Sequence, residues 1–316
     1  MQISDLQLAL AATTFLRCEE KLFLAENLDS LDEFIAMSKS DISLKIRRNL
    51  GRVDWVPHEL KKKLAKLRRI AEVYNINVVI RTDKNFPQLL SKTYDCPYAL
   101  FFRGNLDAVN APCVSVVGTR RPSFAGRNAV TDFVAQLVEN DVTVVSGLAF
   151  GIDIAAHRTA LMKGGPTVAV LACGVDTFTP VSNAQTAAAI IQDGGCVLSE
   201  FVPGTTPFKW NFVKRNSVIS GLSGAVVVGE APAGSGALIT ADFAVDQDRE
   251  LFVLPSALDT AVKNSATGDG KPKKSLLDFV RDGANIATDG KIVADEAKRL
   301  FLASKDEMFE KSMMEH

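Results

Sequence analysis

Two apolar strands, each running through a glycine-bearing turn into a helical pattern, lie between Val114 and Asp153 and restrict this chain more than any other stretch. The first turn reads Gly118-Thr119-Arg120-Arg121-Pro122, the second Ser146-Gly147-Leu148-Ala149-Phe150-Gly151-Ile152-Asp153. Between them Ala129, Val130, Phe133, Val134, Leu137 and Val138 recur at the three-and-four spacing of an amphipathic helix. Backbone N–H groups at a helix start are unpaired, and the helix dipole adds partial positive charge there. Two such turns, one carrying paired arginines, suit a phosphate, so the chain reads as built for a nucleotide or a nucleic-acid backbone.

The same alternation continues to about residue 290. Cys113 to Val117, Val142 to Val145, Thr167 to Ala172, Cys196 to Leu198, Ala225 to Val228 and Leu251 to Leu254 are strand-length apolar runs, with helical spacing between them. Gly164-Gly165 and Gly194-Gly195 fall at helix ends, where a left-handed residue is wanted. Continuous apolar strands alternating with helices imply an α/β fold with a doubly wound, mostly parallel sheet covered on both faces. Its working edge is the one from which the glycine turns emerge.

Residues 1 to about 105 read as helical and irregular, ending in a connector and a short strand through Phe101-Phe102-Arg103. The domains expected are a small helical N-terminal module over 1–85, the sheet domain over 86–290 and a short helical tail over 291–316. Lys45, Arg47, Arg48, Arg52, Lys61, Lys62, Lys63, Lys66, Arg68 and Arg69 make a basic run that is either a solvated helix face or a nucleic-acid surface. The stretch Asn264 to Lys274 has no apolar period and reads as a mobile surface loop.

A chain of 316 residues that is 47% hydrophobic and 23% charged has material for a large core. Its net charge of −1 says nothing for nucleic acid, so local clusters must carry that argument. Five scattered cysteines without a CxxC pair, and only three histidines, argue against a disulfide framework or a zinc site. Neither a signal peptide nor an apolar run of membrane-spanning length is visible, and the chain reads as cytoplasmic.

Two further elements bear on a site. Phe208-Lys209-Trp210-Asn211-Phe212-Val213-Lys214-Arg215-Asn216 interleaves rings with cations, a combination that suits single-stranded nucleic acid unless Trp210 and Phe212 are core. Glu230-Ala231-Pro232-Ala233-Gly234-Ser235-Gly236 again leaves a strand and opens a helix, with a hydroxyl at Ser235 for a phosphate. The spacing is neither GxGxxG nor a Walker loop, and no nucleophile elbow, His–carboxylate pair or metal cluster stands out, which weighs toward binding over catalysis. Asp153 reads as a helix N-cap.

Taken together, Val117-Gly118-Thr119-Arg120-Arg121-Pro122-Ser123, Ser146-Gly147-Leu148-Ala149, Gly151-Ile152-Asp153, Ala155-Ala156-His157, Val170-Leu171-Ala172-Cys173-Gly174, Arg215-Asn216 before Ile219-Ser220-Gly221-Leu222, and Ser235-Gly236 before Leu238-Ile239-Thr240 closely resemble the DNA processing protein A (DprA/Smf) family, over roughly residues 86 to 290. The resemblance implies a Rossmann-like domain of a family without established catalytic activity; no cofactor and no metal are expected. It implies a homodimer that binds and protects incoming single-stranded DNA and loads the RecA recombinase during natural transformation. Carried over by position, the DNA site would use Gly118, Thr119, Arg120, Arg121, Ser146, Gly147, Lys214, Arg215, Asn216, Ser235 and Gly236. Ser217 and Ser256 depart from the family's usual arginine and glycine, and too few residues follow Asp289 for its winged-helix module. The alternative is a Rossmann-like enzyme or sensor for a small nucleotide, akin to nucleoside monophosphate hydrolases, whose double-glycine pattern the Gly234 turn lacks.

Overall fold

The chain's strands are β1 (Asn77–Ile80), β2 (Ala99–Gly104), β3 (Cys113–Gly118), β4 (Thr143–Ser146), β5 (Thr167–Val170), β6 (Cys196–Ser199), β7 (Ala225–Glu230), β8 (Glu250–Val253) and β9 (Asn285–Ile286) in a computed structural model that describes residues 3–258 and 274–314, with side chains as far as 306. They form one sheet in the order β1-β2-β6-β5-β4-β3-β7-β8-β9. Every pairing from β6 to β9 is parallel, and the two at the β1 edge are antiparallel. The six expected strands are β3 to β8, in a Rossmann-like α/β fold.

Alternation along β3 decides which helices cover which face. Val114 and Val116 belong to a core with Val130 and Phe133 of α7 (Phe124–Glu139) and Ile152 and Ala156 of α8 (Ile152–Met162). Cys113 and Val117 point the other way, toward Val218 and Ile219 of α10 (Lys209–Gly221) and Leu238 and Ala241 of α11 (Gly236–Asp246). With both faces covered, β3, β4, β5 and β7 have no solvated side, which is why they read as unbroken apolar runs. Gly164 and Gly194 end α8 and α9 (Ala184–Gln192) at φ 73° and 82°, the left-handed conformation expected of them.

Residues 3–76 contain α1 (Asp5–Ala12), α2 (Cys18–Asn27), α3 (Leu31–Ala36), α4 (Lys39–Lys45) and α5 (Pro57–Val73). Their core residues Leu8, Leu10, Phe34 and Leu64 are continuous with Phe101, Ala169 and Val197 of the sheet. Much of the basic run is tied to this module itself. Arg48 donates to Glu20 at 2.8 Å, Arg68 to Asp5 at 2.7 Å, Lys61 to Asp32 at 2.9 Å and Lys63 to the Ala12 carbonyl at 2.9 Å. Strand β1 falls where only helix and irregular chain were expected. It is four residues long, sits at the sheet edge and follows directly on the amphipathic α5, which dominates the local pattern.

Beyond β8, α12 (Leu276–Arg281) follows, and α13 (Gly290–Met314) packs Val293, Ala294 and Ala297 into the α7 side of the core. Gly224 lets it lie close, since a Cβ there would be 2.7 Å from the Ala297 Cα. The polar stretch expected to be a loop lies outside the described residues as far as 273. No helix among the described residues is long and apolar enough to cross a membrane.

Candidate nucleic-acid interface

In a sheet of this order the crevice opens where strand order reverses, beyond the carboxyl ends of β3 and β7. A cavity of about 530 Å³ lies there, lined by Gly118, Thr119, Arg120 and Arg121 after β3, Phe212, Arg215 and Asn216 on α10, and Ser235 and Gly236 before α11. Three turns are laced together around it. Thr119 N–H donates to the Glu230 carbonyl at 2.6 Å, Ile152 N–H to the Thr119 carbonyl at 3.1 Å, and the Ser123 hydroxyl to Glu230 Oε2 at 2.8 Å. Gly151 has φ 81°, and a Cβ on it would collide with the Thr119 carbonyl, so the second turn presses on the first only because this residue is glycine.

Arg120 and Arg121 are exposed at the cavity rim. The Arg120 guanidinium stands 5.5 Å from the centre of the Phe212 ring, and Arg215 stands 5.8 Å from the same ring. A cation over a ring face is attracted by its quadrupole, so the Phe212 ring draws the exposed Arg120 guanidinium over the crevice. On the opposite wall, Ser235 occupies the N-cap of α11, but its hydroxyl makes no capping bond. Among the described residues its oxygen is buried without a partner, and open space lies over Gly236; Leu238 N–H donates to the Ser235 carbonyl at 3.1 Å, which leaves the N–H groups of Gly236 and Ala237 at the helix start for the cavity.

Arg215 is buried and holds the floor. Its Nη1 donates to the carbonyls of Gly147 at 2.5 Å and Val170 at 3.0 Å, and its Nε to Asn216 Oδ1 at 3.1 Å. Asn216 in turn donates to the Gly236 carbonyl at 3.2 Å, joining α10 to the fourth turn. A Cβ on Gly147 would collide with that guanidinium and lie 2.7 Å from Asp153 Oδ2. Burial pushes the Asp153 carboxyl up, against the pull of Arg215 and of the Ala149 and Gly147 N–H groups. Asp153 is not the N-cap expected. Gly151 takes that position, and Asp153 accepts from Ala149 N–H at 3.4 Å to brace the turn.

Of the expected site residues, eight line this one cavity. Ser146 is buried beneath, donating to the Val116 carbonyl at 2.6 Å, and Gly147 lies under Arg215. Lys214 is elsewhere, ion-paired at 3.4 Å with Glu200, whose carboxyl burial pushes up, and lining a separate cavity with Lys21 and Tyr98. Ser217 bonds Asp95 and Gln247 and does not line the site. Phe212 is the aromatic ring the site adds to that set, three residues before Arg215 on the same helix face. Trp210 is 79% and Phe208 64% exposed, so the rings at the start of α10 are not core.

The second turn is also clamped by His157. Its Nε2 accepts from Leu148 N–H at 3.3 Å, and Nδ1 donates at 2.7 Å to Thr167, whose hydroxyl donates to the Val144 carbonyl. Burial lowers its pKa to about 3. The unfolded imidazole takes a proton near pH 6.5 that the folded one refuses, so stability is lost as pH falls below that value. Asp153 and Glu200, both raised, act in the opposite sense and are common to wild type and variant. His157→Gln is therefore expected to lose less stability than wild type between pH 7.5 and 5, read as denaturant midpoints. Equal losses would show that His157 does not titrate on unfolding.

The sequence profile of the DNA recombination-mediator protein A family matches residues 77–291. DNA processing protein DprA of Streptococcus pneumoniae is 40% identical over 214 residues, covering 68% of this chain and 72% of its own length. Protein Smf of Escherichia coli is 43% identical over 182 residues, of which the match spans 48%. Protein Smf of Borreliella burgdorferi is 32% identical over 286 residues, 88% of this chain and 90% of the relative. Among solved structures, the S. pneumoniae DprA superposes with a TM-score of 0.69 at 31% identity, covering 92% of this chain and 97% of that one. DprA of Helicobacter pylori, described in a single-stranded DNA binding mode, superposes at 0.58 with 25% identity over 70% of this chain and 95% of its own.

Proposed function

Because the chain belongs to the DNA recombination-mediator protein A family, we propose that it binds single-stranded DNA in the β3–β7 crevice, protects it and passes it to the RecA recombinase. The observation that carries this reading is the Phe212 ring flanked by the Arg120 and Arg215 guanidinium groups, opposite the open N-terminus of α11. Unpaired bases offer π-faces to such a ring while their phosphates meet arginine and helix N–H groups; a duplex hides those faces. The exposed Phe208 and Trp210 extend the platform. The homodimer, the RecA contact, a role in DNA uptake and the absence of catalysis, each implied by the resemblance, belong to the same proposal, as do the cytoplasmic location and the division into a helical module, a sheet domain and a C-terminal helix.

Fluorescence anisotropy with single- and double-stranded oligonucleotides at several salt concentrations tests it. Single strands are expected to bind at least tenfold tighter, with log affinity falling against log salt by ~0.7 per phosphate held. Tight binding of a mononucleotide with none of an oligonucleotide would replace this reading with a nucleotide enzyme or sensor.

A further inference from the structure

The Arg120–Arg121 turn is a ridge with a cavity on each side. Beyond it, away from Phe212, a groove of about 620 Å³ runs between α7 and α8, lined by Arg120, Arg121, Arg127, Arg158, Phe150 and Met162 among others. No carboxylate lines it, and none of its four arginines is ion-paired among the described residues. Among the described residues Arg158 reaches only the Thr186 hydroxyl, at 3.4 Å. Four like charges around one groove repel one another, an arrangement that a polyanion would relieve. Phe150 is 49% exposed and Met162 74%, so apolar faces stand among the cations.

We propose, resting on the single-strand reading above, that the bound strand does not end in the crevice but crosses the Arg120–Arg121 ridge into this groove. There Arg127 of α7 and Arg158 of α8 hold further phosphates, and Phe150 stacks a base. Continuity favours nucleic acid over an acidic protein surface, because Arg120 and Arg121 line both cavities. The planar fork of arginine matches phosphate oxygens, and a ring beside it matches a base. Such a footprint gives a role to Arg127 and Arg158, which line the groove and not the crevice.

The experiment compares wild type with Arg127→Ala/Arg158→Ala, Arg127→Lys/Arg158→Lys and Phe150→Ala, using single-stranded oligonucleotides of about six and about 16 nucleotides, the range such sites span. All three side chains are on the surface, so unfolding midpoints should hold. The alanine pair is expected to weaken the long oligonucleotide by on the order of tenfold to hundredfold and to lower its salt slope by ~1.4, two contacts' worth. The short one, satisfied in the crevice, should change by less than about threefold on the same count of contacts. The lysine pair should keep most of the slope, and Phe150→Ala should weaken the long oligonucleotide by about tenfold. Unchanged affinity and slope for the long oligonucleotide in the alanine pair would overturn the inference and leave the groove to an acidic protein. Failure of wild type to bind either oligonucleotide would instead remove the reading on which it rests.

Discussion

Replacing Arg215 by alanine is expected to cost about 3–5 kcal/mol of folding stability, because the side chain is a buried charge whose removal strands its partners. Two backbone carbonyls, those of Gly147 and Val170, lose their donor, and Asn216 loses the bond that fixes its amide toward Gly236. Asp153 loses the cation that lowers its pKa, so burial pushes its carboxyl still higher. A carboxyl whose folded pKa is raised above its unfolded value favours the folded state at low pH and loses that contribution as pH rises through the folded pKa. The variant should therefore regain part of its lost stability as pH is lowered toward 5, and Asp153→Asn placed on top of Arg215→Ala should recover part of it at neutral pH. Urea midpoints of wild type, the single variant and the double variant read this directly. An Arg215→Ala protein as stable as wild type would mean that the guanidinium is free for phosphate instead of holding the floor.

That dual position of Arg215, at the cavity and bonded into the protein, marks the limit of what was legible beforehand. Strands β3 to β8 and the glycine turns could be read because a sheet covered on both faces imposes unbroken apolar runs, and helix starts near phosphate tolerate little but small residues. The contact between Gly147 and Arg215, 68 residues apart, leaves no local trace; only the missing Cβ hints at it. The fate of Lys214 was within reach. On a helix, residues three and four apart share a face, so Phe212, Arg215, Asn216 and Ile219 look into the crevice while Lys214 is turned toward Glu200. Adjacent basic residues read as one patch in sequence and became two surfaces in space. Strand β1 escaped for a different reason: four residues at an edge carry too little alternation to compete with a 17-residue amphipathic helix beside them.

The second large effect is expected at the rim of the crevice, from Arg120→Ala and Phe212→Ala, alone and combined. Removing Arg120 deletes a charge-assisted contact to phosphate, about 1.5–3 kcal/mol, and should lower the salt slope for single strands by ~0.7. Removing Phe212 deletes a stacking face, about 1–3 kcal/mol, and should leave the salt slope nearly unchanged, since no phosphate is released. The two are not independent. Arg120 stands 5.5 Å from the Phe212 ring, and without the ring its guanidinium is no longer held over the crevice. The double variant should therefore lose less than the sum of the singles, with a coupling on the order of 0.5–1 kcal/mol, while binding at least about tenfold more weakly than wild type. Both residues are outside the core, so thermal midpoints should stay near wild type, separating this pair from Arg215→Ala. Strict additivity in the cycle would show that ring and guanidinium bind the strand separately, and a Phe212→Ala protein with wild-type affinity would move the bases off this ring altogether.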